Sequence, residues 1–500
     1  MNLGILLEGV EVTKLFELTY GHFLATGDID VHGIQYDSRK VGRGDCFVAM
    51  RGVGTDGHKF VEAAIEKGAK VVVLEQDTTL PDSYFMHTHV VKVVVPDSRR
   101  ALALMSANFF GHPSSELTIV GVTGTNGKTT TTHLISAIFQ AAGQRAGLIG
   151  TIEYKIGDEV IPASHTTPES LELNELLARM LKSGCQSVSM EVSSHALHQS
   201  RVYGIDYDVA VFTNLTQDHL DYHGTMGEYF NAKKLLFDNL SGDAVAVTNC
   251  DDEWGMKIVS TSPGRTISYG VAEKADVRAT DIRISLEETS VNIRSGNQGS
   301  TLTSPLVGRF NVYNILAAYS TGIALGHSHN TIAAGISSVK NVRGRFERIV
   351  SPQGWTAIID YAHTPDALEK CLRTIHDVLP KEGRGRIITV FGAGGDRDQT
   401  KRPLMGKIAG SLSDLAIVTS DNPRTECPQH IIDDIVRGIP REATVVQEVD
   451  RRTAIHTALR QARSGDVILV AGKGHEDYQV IGKEKIHFSD REIVEDFIRS

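Results

Sequence analysis

The sequence predicts a three-domain α/β protein: a small mixed domain over residues 1–105, a central domain on a mainly parallel sheet over 106–345, and a C-terminal Rossmann-like α/β domain over 346–500. Three observations carry this. A length of 500 residues accommodates about three domains at roughly 100–200 residues each. Short apolar runs alternate with helix-like stretches from Thr118 to near the end of the chain, the pattern of a parallel sheet covered by helices. The series breaks at Gly344 and resumes, which makes the second run a separate domain.

Along the chain, DCFVAM, KVVVLE and VVKVVV read as strands of the first domain, which closes on the helix-like RRALALMSANFF. LTIVGV, SVSMEV, DVAVFTN and AVAVTN supply the central strands. The polar, Ser- and Thr-rich stretch from Thr261 to Pro305 alternates like an antiparallel ribbon appended to that domain. WTAIID, RIITVFG, LAIVTS and DVILVAG are the strands of the third, and no repeat of solenoid length is present.

Composition removes several classes of function. With 41% hydrophobic and 22% charged residues the chain is ordinary globular material. A formal net charge of -10 argues against a nucleic-acid backbone as partner, while leaving room for a local basic cleft. Cys46, Cys185, Cys250, Cys371 and Cys427 are scattered, odd in number and without CxxC spacing, so reduced thiols in the cytoplasm are expected. The N-terminal MNLGILLEGVEVTKLFELTY is interrupted by Glu8, Glu11 and Lys14 and reads as no secretory signal. No apolar run of about 18 residues predicts a membrane span.

The most informative segment is LTIVGVTGTNGKTTTTHLISAIF, an apolar strand entering a Gly-rich turn and then an amphipathic helix. Gly124 and Gly127 allow a tight turn that presents backbone amides, and Thr125 and Asn126 lie between them. Lys128 reaches terminal phosphates, the Thr129 hydroxyl suits magnesium, and Thr130 continues the loop into the helix. Val122 stands where the usual motif has its first glycine, so the loop is a shortened form. Nucleoside triphosphate binding follows, but not the reaction, because hydrolases, kinases and ligases share such loops.

Other segments narrow the choice. HTTPES at 165–170, MEVSSHALHQSRV at 190–202, FTNLTQDHLDYHGTMGEYFNAKK at 212–234, GRFNVYNILAA at 308–318, GRFERI at 344–349, DYAHTPDAL at 360–368 and GAGGDRDQTKRPLMG at 392–406, together with GTNGKTT, closely resemble the Mur ligase family over essentially the whole chain. The resemblance implies ATP-dependent activation of a UDP-muramoyl peptide carboxylate as an acyl phosphate, which an amino-acid amine then attacks. The N-terminal domain would take the UDP end, the central domain ATP, and the C-terminal domain the amino acid.

It also implies residue roles. Glu191 and His219 would hold magnesium, and Lys233 would be carbamylated to N6-carboxylysine and support it, although in isolation His219 reads as a loop residue and Lys233 as a surface lysine. Asn311 and Asn314 would lie near adenine, with Arg345 and Asp360 near the nucleotide and the hinge. Ser38 would face the uridine end, and Thr166, Thr167, Ser193, Gln199 and Arg201 the muramoyl peptide; Tyr36 and His165 depart from the family's usual leucine and asparagine.

The amino acid is indicated by SDNPRTE, directly after the strand LAIVTS, a placement that suits a ligand loop. Asp421, Asn422, Pro423 and Arg424 resemble the diaminopimelate form of the family motif. Arg424 can grip the distal carboxylate of meso-diaminopimelate with two charge-assisted hydrogen bonds, and lysine, lacking that carboxylate, would leave the guanidinium unpaired. By resemblance Arg397 would meet a carboxylate, with Gly472 and Glu476 completing the site and Glu476 taking an ammonium.

The expectation is therefore a monomeric cytoplasmic ligase of peptidoglycan biosynthesis, serving cell shape and division. It would add meso-diaminopimelate to UDP-N-acetylmuramoyl-L-alanyl-D-glutamate, with ATP and Mg2+ and no nucleic-acid or membrane partner. Three alternatives stand beside it: the same ligation with L-lysine, a hydrolytic phosphate-loop ATPase, and a silent binding protein on this scaffold. Intact Lys128, Thr129, Glu191, His219 and Lys233 disfavour the last.

Overall fold

The computed structural model describes residues 1–16, 29–52, 54–296, 298–379 and 385–500, so residues 17–20 of the N-terminal segment read above lie outside it. The chain divides into two compact units, Met1–Gly121 with Gln144–Asp208 and Asp238–Ala244, and Val122–Gly143 with Val209–Phe237 and Val245–Ser500.

The first unit opens with α1 (Leu3–Leu6) and five strands, β1 (Lys14–Phe16), β2 (Ile34–Gln35), β3 (Cys46–Val48), β4 (Val71–Leu74) and β5 (Val91–Val94), in the order β1-β5-β4-β3-β2. Only the β1–β5 pairing is antiparallel. β4 is a continuous apolar run, and β5 is one interrupted by the buried, ion-paired Lys92, because both sheet faces are covered. One face packs on α1 and α4 (Ser98–Phe110), through Leu3, Leu102 and Met105. The other packs on α2 (Val61–Glu66) and α3 (Asp82–Thr88), through Ala64 and Phe85. Helix α4 starts where the Asp97 carboxylate accepts the amides of Arg99 and Arg100 at 2.9 and 3.0 Å, and stops at Gly111 in the left-handed region.

From this unit β6 (Thr118–Thr123) leads into α5 (Lys128–Ala141), and the chain returns through β7 (Ala146–Ile149), β8 (Glu153–Ile156) and β9 (Glu159–Pro162). Next come α6 (Ser170–Lys182), β10 (Ser187–Glu191) and α7 (Ser194–His198). These strands lie in the order β6-β10-β7-β8-β9, with β10 parallel to β7 and an antiparallel hairpin at the edge. Sequence reading had not anticipated that hairpin; its turn is Gly157, at φ +60.

The second unit contains β11 (Val209–Phe212), α8 (Leu220–His223), α9 (Met226–Asp238), β12 (Val245–Asn249), α10 (Gly255–Ile258), β13 (Arg265–Gly270) and β14 (Val277–Ile284). β15 (Thr289–Ser295) and β16 (Gln298–Ser304) follow, then α11 (Arg309–Ala324) and α12 (His329–Ser338). β11 to β14 pair in parallel succession, and β14, β15 and β16 form the expected antiparallel ribbon. The ribbon is continuous with the parallel strands through β13 and β14.

The C-terminal segment builds a second sheet from β17 (Glu347–Val350) and β18 (Thr356–Asp360), then, beyond α13 (Pro365–Val378), β19 (Ile387–Phe391). α14 (Lys401–Leu412), β20 (Leu415–Thr419), α15 (Pro428–Val436), β21 (Val445–Glu448), α16 (Arg451–Gln461) and β22 (Val467–Ala471) continue the alternation. A hairpin of β23 (Tyr478–Ile481) and β24 (Glu484–His487) and the helix α17 (Asp490–Arg499) end the chain. The order is β17-β18-β22-β19-β20-β21, parallel except at β17. Separate apolar cores cover its two faces, one with α13 to α15 and the other with α16 and α17, the Rossmann-like layering expected.

One buried ion pair fixes the ligand end of this sheet. The Arg451 guanidinium lies fully buried against Asp490, at 2.8 and 2.7 Å, and donates to Ala471 O at 2.9 Å and Ser420 O at 3.4 Å. It thereby ties together the chain exits of β22 and β20.

Candidate active site

The phosphate loop leaves β6 at Thr123 and enters α5 at Lys128. Its two glycines are demanded by close approach. Gly124 sits at φ +146, where an added Cβ would stand 1.9 Å from Thr213 Oγ1, and Gly127 at φ +89, where a Cβ would stand 2.3 Å from Asn314 Oδ1. The segment after β11 clamps the loop: Thr213 Oγ1 and Asn214 Nδ2 both donate to Asn126 O, at 2.6 and 3.0 Å. Asn126 N donates to Asn214 Oδ1 at 3.0 Å, and Thr125 N to Asn214 O at 2.8 Å. The sequence analysis did not single out Thr213 or Asn214; their signal was position at a strand's C-terminal end.

Two lysines converge on one carbonyl. Lys128 Nζ donates to Gly124 O at 2.9 Å and Thr125 O at 3.0 Å, and Lys233 Nζ, carried by α9, donates to Gly124 O at 2.8 Å. Lys233 is only 1% exposed, so it is no surface lysine. Burial, then the nearby Lys128 charge, drive its pKa well below the ordinary lysine value against the weaker pull of Asp218. His219 precedes α8 at φ +54. Burial lowers its pKa, as do Lys128, Lys233 and His363, against Asp218, so the imidazole is neutral at neutral pH.

Of the other residues expected near the nucleotide, Arg345 and Asn314 reach the same loop. Arg345 Nη2 donates to Thr129 Oγ1 at 3.1 Å, and its guanidinium stacks 4.7 Å from the Tyr361 ring centroid. Asp360 accepts from Phe346 N at 2.6 Å and Ala362 N at 2.7 Å, joining the strand after Gly344 to the end of β18. Burial raises its pKa, with Arg345 opposing. Asn311 and Asn314, one turn apart on α11, bond to each other at 2.9 Å, and Asn314 lies against Gly127. Asp366, in the first turn of α13, accepts from Asn126 Nδ2 at 3.2 Å and Lys370 at 2.8 Å; the sequence analysis did not single it out.

At the C-terminal ends of β20 and β22 a second set assembles. Asn422 Nδ2 donates to Glu476 Oε2 at 2.9 Å, and a Cβ on Gly472 would stand 2.8 Å from Asp421 Oδ2, so the two loops interlock. After Pro423, Arg424 takes a left-handed φ of +52 and donates through Nη1 to Gly395 O at 2.7 Å. Arg397 is exposed, with Nη1 on Asp396 O at 3.2 Å.

In the first unit Glu191 is the last residue of β10 and 1% exposed, its carboxylate accepting from Thr151 N at 2.8 Å and Thr151 Oγ1 at 3.0 Å. Thr166 meets Thr151 at 3.0 Å, and Thr167 Oγ1 donates to Glu191 O at 2.8 Å and accepts from Ser193 N at 3.1 Å. Arg201 Nη1 donates to Thr167 O at 3.1 Å and Nη2 to Gln199 Oε1 at 2.6 Å, while Nε lies 2.9 Å from Glu169. Five expected peptide contacts and the acid therefore form one polar cluster. Ser38 stands apart in the turn after β2, where neighbouring Tyr36 donates to Glu172 at 2.7 Å.

Among the described residues no three His, Cys, Asp or Glu side chains gather as a metal site. Within the second unit the Thr129 hydroxyl is an oxygen donor suited to a hard cation and the neutral His219 a nitrogen donor, and within the first unit the Glu191 carboxylate is an oxygen donor of the same kind.

A Gly-rich loop ending a parallel strand, a lysine folded over it, and a separate polar set at the C-terminal ends of a second α/β sheet define an enzyme that couples a nucleoside triphosphate to a second substrate. Models of the Mur ligase family, catalytic domain, the Mur ligase middle domain and the Mur ligase, glutamate ligase domain match residues 30–110, 122–322 and 344–474. A UDP-N-acetylmuramoyl-L-alanyl-D-glutamate--2,6-diaminopimelate ligase of Clostridium botulinum is 43% identical, with 100% of each chain covered. A solved structure of a ligase so described is 33% identical with TM-score 0.69, covering 96% of this chain and 97% of that one. The MurF ligase from Thermotoga maritima in complex with ADP, 20% identical over 94% of this chain and 97% of its own at TM-score 0.64, shares the fold. The chain belongs to the Mur ligase family, and it is an ATP-dependent ligase.

Proposed function

We propose that this enzyme adds meso-diaminopimelate to UDP-N-acetylmuramoyl-L-alanyl-D-glutamate in peptidoglycan synthesis. Residues 1–105 serve the UDP end, 106–345 ATP and 346–500 the amino acid, in a cytoplasmic monomer without nucleic-acid or membrane partners. Among the described residues no helix is long and apolar enough to cross a membrane. The observation that carries the reading is that the loop after β20, which carries Arg424, is tied through Asn422 to Glu476 on the loop after β22, so that one sheet end carries both a guanidinium and a carboxylate for a substrate bearing both charges.

Chemistry proceeds in two steps. A precursor carboxylate oxygen bonds to the terminal phosphorus as the bond to ADP breaks, giving an acyl phosphate. The amine of the amino acid then bonds to the acyl carbon, phosphate leaves, and the amine's proton passes to solvent. Loop amides and Lys128 hold the phosphates and offset the charge that builds on them. Arg345 orients Thr129, and Asp360 fixes the segment that carries Arg345. Thr166, Thr167, Ser193, Gln199 and Arg201 position the peptide, with Ser38 toward the uridine end.

Lys233, held uncharged by burial, is a nucleophile for carbon dioxide: its nitrogen bonds to carbon, a proton leaves, and a carbamate results. Magnesium, when bound, draws charge from phosphate oxygens; Thr129, Glu191, His219 and that carbamate are the groups that would hold it.

The test is ADP release coupled to mass detection of product, offering meso-diaminopimelate or L-lysine with the precursor, ATP and magnesium. Product with diaminopimelate alone is expected. Product with lysine overturns the selectivity, and ADP without amide product overturns the ligation.

A further inference from the structure

Lys473 lies in the loop after β22 with no exposed surface, its Nζ set among carboxylates. Its Nζ donates to Glu476 Oε2 at 2.9 Å and Asn422 Oδ1 at 3.1 Å, and lies 3.6 Å from Asp421 Oδ1. A buried ammonium is costly unless paired and hydrogen-bonded. Each of these hydrogen-bonding and ion-pair partners belongs to the two loops assigned above to the amino acid, and the Tyr478 ring, at the start of β23, lies 5.5 Å from Nζ.

We infer that Lys473 is a positioning residue for amino-acid recognition, setting both the charge and the direction of the ammonium receptor; this rests on placing the amino acid between these loops. Asn422 Oδ1 accepts from Lys473 and also from Val480 N at 2.9 Å, which turns the amide nitrogen toward Glu476. Glu476 Oε2 thus takes two donors. Among the described residues Oε1 keeps only a long contact from the Tyr478 hydroxyl at 3.5 Å and is the oxygen left for a substrate ammonium. Two carboxylates and one lysine leave a single negative charge, matched to a single ammonium.

Lys473→Met should raise KM for meso-diaminopimelate about 100-fold, with kcat and KM for ATP changed no more than about threefold. Because Lys473 acts through Glu476, its effect in a Glu476→Gln background should shrink to less than about fivefold. Thermal unfolding checks folding, and if the methionine variant does not fold, Lys473→Gln, which keeps a donor without the charge, is measured in the same cycle. Multiplying effects, or equal losses toward ATP, would reduce Lys473 to a structural role and overturn the inference. If Glu476→Gln and Arg424→Ala alone leave KM for diaminopimelate unchanged, the amino acid binds elsewhere and the site assignment itself falls.

Discussion

Gly124→Ala tests the clamp on the phosphate loop. The substitution puts a side chain at φ +146 and a Cβ 1.9 Å from Thr213 Oγ1. Holding an L-residue in that region costs about 1–3 kcal/mol. Displacing Thr213 breaks its 2.6 Å bond to Asn126 O, about another 1 kcal/mol. Together about 2–4 kcal/mol is taken from the nucleotide-ready loop, a fall in ATP affinity of about 30- to 1000-fold. Titration calorimetry with a non-hydrolysable ATP analogue and magnesium reads the loss, with thermal unfolding as the folding control. In a Thr213→Ala background the clash with the hydroxyl is gone and the bond to Asn126 is already lost, so the same substitution should cost about fivefold less. Affinity within about threefold of the parent, or an identical loss in both backgrounds, would refute the reasoning.

Arg424→Ala should raise KM for diaminopimelate about 100-fold and leave KM for ATP within about twofold, read from steady-state ADP release. Asp366→Ala, which frees Asn126 from α13, should weaken ATP binding about 3- to 10-fold with little change in unfolding temperature, the modest size following from a half-exposed carboxylate. Lys233 gives a pH signature. Its folded pKa is depressed, so between that value and the ordinary lysine range the unfolded chain binds one more proton, and stability rises with pH by about 1.4 kcal/mol per unit from this group. Lys233→Met should abolish ligation, raise the unfolding temperature at pH 7 and flatten its rise toward pH 9 in carbon-dioxide-free buffer; an unchanged slope would exclude a neutral buried amine.

The strands were legible because parallel strands covered on both faces are nearly pure apolar runs, as in VVVL and VILVA. The phosphate loop was legible because glycine, lysine and threonine each have one physical reason to stand there. Less visible was whatever depends on contacts distant in sequence. Thr213 and Asn214 clamp a loop almost 90 residues earlier. Asp366 reaches Asn126 across 240 residues. Lys473, inside a motif that yielded Gly472 and Glu476, was not singled out, because burial is not written in a single letter. The β8–β9 hairpin was missed for a related reason: edge strands left largely exposed, as in EVIP, carry little apolar signal.

The Arg451–Asp490 pair separates what can vary in this enzyme from what cannot. By anchoring Ser420 O and Ala471 O it holds the last backbone atoms before each ligand loop. Beyond them, Arg424 and Glu476, the side chains proposed to face the substrate, can change chemistry on a fixed mount. A lineage could replace its amino acid by rewriting a few loop letters without moving the sheet. The reverse does not hold: losing one member of the pair strands a buried charge, about 3–5 kcal/mol, and unseats both loops at once. Drift in substrate choice is thus open along the loops and closed at their root.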